Sequence, residues 1–252
     1  LSALARDRRQ VWTIVPAAGS GSRFGADKPK QYMDLGGKPL LVVTIERLLR
    51  HPAVAGVVVA LARDDQFWPG LETVGGKPVR TVVGGATRAE SVLAGLRGLP
   101  ETVGPPDWVA VHDAARPCVG IEALDRLFSY CFRTGTPALL AVPVRDTIKR
   151  VGADGRVAGT VPREGLWRAQ TPQCAPRGLL ERALAEALAR AAGDPRLVPT
   201  DEANALEECG VSVCSVEGDE SNLKVTTAPD LALARFWLEQ ENERSRNRGD
   251  RA

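Results

Sequence analysis

The sequence has no CxxC pair among its five cysteines, Cys118, Cys131, Cys174, Cys209 and Cys214, and no zinc-like spacing between them and its two histidines, His51 and His112. Spacing therefore argues against a structural zinc site or a redox dithiol, and the cysteines read as reduced packing residues. No apolar run approaches the roughly 20 residues that cross a bilayer. Residues 1–10 carry Arg6, Arg8 and Arg9 without the long apolar stretch of a secretory signal, so a cytoplasmic protein with no membrane contact is expected. Charge of one sign is missing too. The 33 Lys and Arg are interspersed with 31 Asp and Glu, a formal net charge of +2. That leaves no basic stripe for nucleic acid, and any attraction for polyphosphate must be local. Internal repeats and low-complexity linkers are absent. The chain begins at Leu1 and not at Met, and residues 1–10 are assigned no function.

What is present is ordinary for a globular chain: 252 residues, 44% apolar and 25% charged, enough for one large α/β domain. Short apolar, β-rich runs lie at 11–17, 54–61, 81–83, 108–112, 138–144 and 211–216. Between them fall helical patterns at 40–50, 88–98, 121–133, 177–192 and 201–209, and Thr227 with Pro229 and Asp230 opens a last helix over 231–240. This alternation predicts a Rossmann-like, mostly parallel sheet with helices on both faces. One stretch departs from it. Residues 147–151 and 156–161 flank Gly152-Ala153-Asp154-Gly155 and read as a β-hairpin, an inserted arm at about 145–163. A hairpin alone is marginally stable in water, so the arm must pack on its own domain or on a second subunit, which makes a homodimer expected. The layout is an extension over 1–10, a single domain over 11–241 and a charged tail over 242–252.

The first strand runs into Ala18-Gly19-Ser20-Gly21-Ser22-Arg23-Phe24-Gly25. Glycines after a first strand let backbone N–H groups approach phosphate oxygens beyond the carboxyl end of the sheet. The spacing is GxGxxxG. It is neither the GxGxxG of dinucleotide folds nor a loop ending in Gly-Lys-Ser/Thr, and on glycines alone a plain strand-to-helix turn stays open. Arg23 within the loop and Lys30 just after it favour an anion, offering a bidentate fork and a compact point charge. Phosphoryl-type transfer needs such charge neutralisation.

Pro16-Ala17-Ala18-Gly19-Ser20-Gly21-Ser22-Arg23 and Lys28-Pro29-Lys30-Gln31-Tyr32 resemble the signature of nucleotidyltransferases that act on sugar or polyol phosphates, with Pro-Lys-Gln-Tyr most similar to the 2-C-methyl-D-erythritol 4-phosphate cytidylyltransferase family. His112-Asp113-Ala114-Ala115-Arg116-Pro117, Gly84-Gly85-Ala86-Thr87-Arg88-Ala89-Glu90-Ser91, Pro143–Lys149, 160–163, 167–173, 200–203 and 222–226 extend the resemblance over about 11–238. It implies CTP as substrate, a divalent cation such as Mg²⁺, and a polyol phosphate acceptor, with ribitol 5-phosphate as the alternative acceptor. Pro16, Ala17, Ala18, Gly19, Gly21, Gly85, Ala86, Arg88 and Ser91 would bind the nucleotide. Many members have an acid where this chain has Ala86, so readout there falls to the backbone. Arg23, Lys30, Arg163 and Lys224 would be catalytic, and Asp113, Arg116, Thr147, Thr171 and Thr200 would serve the acceptor, Asp113 also the metal. In the family the arm crosses to the partner, so Thr147 and Arg163 would complete a neighbour's site. Each has a plainer reading beside this one: Asp113 as a turn residue, Arg163 as a solvated charge, Thr200 as a helix cap, Thr171 as the end of a strand. A nucleotide-binding module without catalysis is a further alternative, and a dinucleotide oxidoreductase a poorer one. Some relatives carry a fused downstream cyclase, which is not expected here because the chain ends soon after Leu238.

Overall fold

In the computed structural model, which describes residues 9–19 and 28–249, the sheet and its helices follow the predicted alternation. The strands are β1 (Val11–Pro16), β2 (Val54–Leu61), β3 (Thr73–Val74), β4 (Lys77–Val83), β5 (Trp108–Val111), β6 (Ala138–Pro143), β7 (Ile148–Val151), β8 (Val157–Val161), β9 (Trp167–Pro176) and β10 (Cys214–Glu217). The helices are α1 (Leu40–Arg50), α2 (Arg88–Arg97), α3 (Ile121–Thr134), α4 (Arg177–Arg190), α5 (Glu202–Glu208) and α6 (Ala228–Gly249). One sheet runs β10-β6-β9-β5-β1-β2-β4-β3, and β7 and β8 pair only with each other. Strands β1, β2, β4 and β5 are parallel, and β9 lies antiparallel between β5 and β6.

Alternation along β1 sorts the core into two layers. Val11 and Val15 meet α1 and α3 through Leu41, Ile45, Leu48, Leu127 and Phe128, while Ile14 meets α2, α4 and α5 through Val92, Leu96, Leu180, Leu184 and Leu206. Each fully buried side chain of this kind is worth about 1.5–3 kcal/mol relative to exposure. Gly95 lets α2 approach closely, since a Cβ there would stand 2.4 Å from the Ile14 side chain. That approach seats the C-terminal half of α2 against β1. The last helix closes on α1, where the buried Arg47 guanidinium donates to both carboxylate oxygens of Glu241 at 2.7 and 2.6 Å.

Several expectations need correcting. Strand β4 starts at Lys77, earlier than the 81–83 run, and the strand expected at 211–216 is β10, Cys214–Glu217. Strand β9 is missing from the apolar runs and enters only through Thr171 as a strand end, because Gln170, Thr171, Pro172 and Gln173 look unlike a buried strand. Burial is tolerated because the polar side chains are satisfied: Gln170 Nε2 donates to Asp219 O, and Gln173 binds the start of α5. Pro172 lies beyond the β5 pairing, which ends at Gln173, and opposite the register shift of β6 between Leu139 and Ala141, so its missing N–H breaks no ladder bond. Thr171 thus sits within a strand and does not end one. The last helix also runs past residue 240, through the stretch assigned to a tail. No helix among the described residues is long and apolar enough to cross a membrane.

Candidate active site

From β1 the chain passes to β2 on one side while β5 lies on the other, and the carboxyl ends of β1, β4 and β5 open onto a cavity of about 380 Å³. This reversal of strand order is where open α/β sheets bind ligands. Lining residues include Pro16 at the end of β1, Ala17, Ala18 and Gly19 after it, Lys30, the turn Gly85-Ala86-Thr87-Arg88 after β4, Asp113 after β5, and Lys224. Gly21 and Arg23 lie outside the described residues.

The loop after β1 is tied to the turn that follows it. Gln31 is buried, and its Nε2 donates to Ala17 O at 2.8 Å and Gly19 O at 3.0 Å, which fixes Lys30 at the cavity wall. On the opposite wall α2 begins with a capping box: Glu90 N–H donates to Thr87 Oγ1 at 3.1 Å, and Thr87 N–H donates to Glu90 Oε2 at 2.8 Å. Ser91 Oγ donates to Thr87 O and accepts from Gly85 N–H, so Ser91 shapes the turn from beneath. Gly85 is required by space, since a Cβ would stand 2.3 Å from Glu90 Cβ. The exposed Ala86 leaves the backbone as the polar part of this turn.

Asp113 is the centre of the charged wall. Its Oδ1 accepts from Arg88 Nε at 3.1 Å, and its Oδ2 meets Lys224 Nζ at 2.9 Å and Arg116 Nε at 3.4 Å. Burial works against its charge, but Arg88, Lys224 and Arg116 outweigh it and hold the carboxyl well below the usual carboxylate range. Arg88 in turn donates to both oxygens of Glu202 at 2.6 and 3.0 Å. Arg116 also donates to Asn222 O and Ala169 O, which ties β5 to β9 and to the loop carrying Lys224.

His112 is 0% exposed and holds Asp113 from behind. Its Nε2 faces Arg116 O at 3.0 Å and so carries the proton, while Nδ1 accepts from the Thr171 hydroxyl at 3.0 Å; Thr171 Oγ1 accepts from Asp113 N–H. Burial lowers His112 to about 4 from its ordinary 6.5. The unfolded chain therefore takes up a proton on His112 that the folded chain rejects. This stabilisation is complete above pH 6.5 and is lost as pH falls toward 4, by on the order of 3 kcal/mol. Denaturant unfolding from pH 7 to 4.5 should show a shallower loss in His112→Asn than in the wild type, with His51 contributing equally to both; parallel slopes would contradict the assignment.

Other predicted residues stand apart from the cavity lining. Thr171 faces His112 and the Asp113 backbone within the sheet. Thr200 is exposed, and the cap of α5 is Asp201, whose side chain accepts from Asn204 N–H. Thr147 and Arg163 are exposed on the arm, where Arg163 donates to Arg145 O. Glu202 and Gln31 were not singled out from sequence, although both lie in strings quoted above. Thr226, beside Lys224, also lines the cavity.

Among the described residues no three metal-ligating side chains cluster, and Asp113 is the one carboxylate lining the cavity. Magnesium is commonly held by one or two carboxylates together with substrate phosphates and water. This donor set fits a cation carried in on a polyphosphate, not one the protein holds alone.

Residues 11–240 match the family model for IspD, 2-C-methyl-D-erythritol 4-phosphate cytidylyltransferase. The enzyme of that name from Xanthomonas oryzae pv. oryzae (strain PXO99A) is 54% identical over 228 residues, 90% of this chain and 82% of the relative. The one from Stenotrophomonas maltophilia (strain K279a) is 53% identical over 228 residues, 90% of this chain and 96% of the relative. The crystal structure of the Francisella tularensis enzyme superposes with a TM-score of 0.76 at 34% identity, covering 90% of this chain and 99% of that one. By family model, sequence identity and superposition alike, this chain belongs to the 2-C-methyl-D-erythritol 4-phosphate cytidylyltransferase family.

Proposed function

We propose that the cavity between β1, β4 and β5 is where this chain transfers a cytidylyl group from CTP to 2-C-methyl-D-erythritol 4-phosphate, releasing pyrophosphate. The observation that carries this is the Arg88–Asp113–Lys224 cluster at the end of β5, facing Gly19 and Lys30 across the cavity. A phosphate oxygen of the acceptor attacks the α-phosphorus in line. The new P–O bond forms as the bond to the β-phosphate oxygen breaks, and pyrophosphate leaves. The acceptor is already an anion, so charge management matters more than proton removal. His112 is no candidate base, since it is buried with both ring nitrogens engaged.

The roles we assign rest on the family resemblance and, for the described residues, on the cavity lining. Pro16, Ala17, Ala18 and Gly19, with Gly21 and Arg23, hold the triphosphate, and Lys30 stabilises the charge that develops on it. The backbone of Gly85 and Ala86 reads the pyrimidine edge, with Ser91 beneath the turn and Arg88 beside it. Lys224 and Arg116 attract the acceptor phosphate. A divalent cation on the triphosphate, with Asp113 as its protein-side carboxylate, would neutralise the bent polyphosphate. Thr171 would serve the acceptor through Asp113, whose backbone N–H its hydroxyl accepts from, and Thr200 would offer the acceptor its exposed hydroxyl.

Thr147 and Arg163 serve the site of a partner in a homodimer. Two features support this: among the described residues β7 and β8 pair with no other strand, and Val157 on the arm and Trp167 at the start of β9 are 62% and 44% exposed. The chain acts in the cytoplasm on small molecules. A direct test supplies CTP, UTP or ATP with acceptor and Mg²⁺ and follows pyrophosphate. Turnover on CTP at least about a hundredfold above ATP is expected, because hydrogen-bonding groups that a bound base covers reject bases that leave them unpaired. Comparable rates would overturn the assignment of the Gly85 turn, and no release from CTP would overturn the function.

A further inference from the structure

Glu202 is a buried carboxylate that does not itself line the cavity, and its two oxygens are spent on one residue, Arg88. The sequence separation is 114 residues, and the local structure explains how the pair is built. Gln173 on β9 accepts from Ala203 N–H at 2.7 Å and donates to Asp201 Oδ2 at 3.0 Å, which fastens the start of α5 to the sheet. Glu202 is thereby aimed at the first residue of α2. A carboxylate with both oxygens accepting from one guanidinium is ionised, and the fork fixes the guanidinium plane as well as its distance. Asp113 takes Nε of the same guanidinium, so three of the five Arg88 N–H groups are engaged and the remaining two stay available. Arg88 is half-buried and lines the cavity. Burial works against its charge, and the two carboxylates outweigh that and push its pKa up.

We propose that Glu202 is a positioning residue of the transfer site: it clamps Arg88 from behind so that the free N–H groups point at the nucleotide, acting through Arg88 and never touching substrate. This rests on the cavity being the CTP site. Two alternatives predict other outcomes. If Glu202 acted only through its charge, its removal would make the cavity more positive and CTP would bind more tightly. If Glu202 served the fold alone, its removal would lower stability and leave CTP affinity as it was.

The experiment is a double-mutant cycle on the full chain. CTP dissociation constants are measured by titration calorimetry for wild type, Glu202→Gln, Arg88→Ala and the double variant, with unfolding midpoints and pyrophosphate release alongside. Glu202→Gln keeps the volume but offers Arg88 one acceptor in place of two. We expect it to weaken CTP about tenfold, to raise KM for CTP more than it lowers kcat, and to change CTP affinity less than twofold once Arg88 is already Ala. Glu202→Asp keeps the charge with a shorter reach and should fall between wild type and Glu202→Gln; it replaces that variant in the cycle if Gln does not fold. Unchanged or tighter CTP binding, or an equal effect with and without Arg88, would overturn the clamp. Wild-type turnover separates the two levels. A working wild type with an unaltered Glu202→Gln sinks this inference alone, whereas a wild type that binds no CTP sinks the clamp and the proposed function together.

Discussion

Asp113→Ala should lower kcat/KM at least about a thousandfold and destabilise the fold by about 3–5 kcal/mol. Both effects come from one carboxylate. It sits just past β5 with its backbone N–H held by Thr171, and its oxygens gather Arg88, Lys224 and Arg116 within 3.1, 2.9 and 3.4 Å. Without it three guanidinium and ammonium groups face one another on a partly desolvated wall. Arg88 keeps Glu202, but Arg116 and Lys224 lose their carboxylate, and the repulsion among the three cations is the larger part of the cost. The cations would also move out of register with the phosphates, and positioning is where this kind of transfer draws most of its rate. Asp113→Asn separates the causes. It keeps the shape and one acceptor, so stability should recover in part while activity stays low. Steady-state kinetics with urea unfolding gives both numbers, and a folded Asp113→Asn with near-normal kcat would remove Asp113 from the mechanism.

Lys224→Ala should show the opposite balance: kcat down about a hundredfold, with the unfolding free energy changed by less than about 1 kcal/mol. The loop beneath Lys224 does not depend on its side chain. Asn222 Nδ2 donates to Thr171 O at 2.8 Å, and Val225 N–H donates to Ala115 O at 2.8 Å, so the backbone is pinned on either side. The side chain itself is 41% exposed, and an ion pair at that exposure contributes little to stability. In the proposed reaction its ammonium would meet the negative charge of the attacking phosphate, a gain realised during transfer. A matched loss in stability and in kcat would instead assign Lys224 to holding the wall together.

The fold was legible wherever one periodicity ran uninterrupted. Strands β1 and β2 and helices α1 and α3 carry clean apolar patterns because each buries a continuous face. Strand β9 was illegible because its burial is balanced by side-chain hydrogen bonds to distant segments, which composition does not display. The site divides in the same way. Lys30, Gly85, Arg88, Asp113 and Lys224 sit in strings at strand ends or after turns, and each lines the cavity. Gln31 and Glu202 were missed because their work is tertiary: one stitches the residues just after β1 to the turn at Lys30, the other reaches Arg88 from a helix far along the chain. Glu202 was visible only as one letter of Thr200-Asp201-Glu202-Ala203, with nothing nearby to say what it faces.

The most direct test is to identify the product. Purified protein incubated with CTP, Mg²⁺ and 2-C-methyl-D-erythritol 4-phosphate should consume both substrates and give pyrophosphate and the CDP-linked alcohol in equal amounts by ³¹P NMR, with ribitol 5-phosphate turned over at least about tenfold more slowly. Pyrophosphate formed without the CDP-linked product, or ribitol 5-phosphate used equally well, would contradict it.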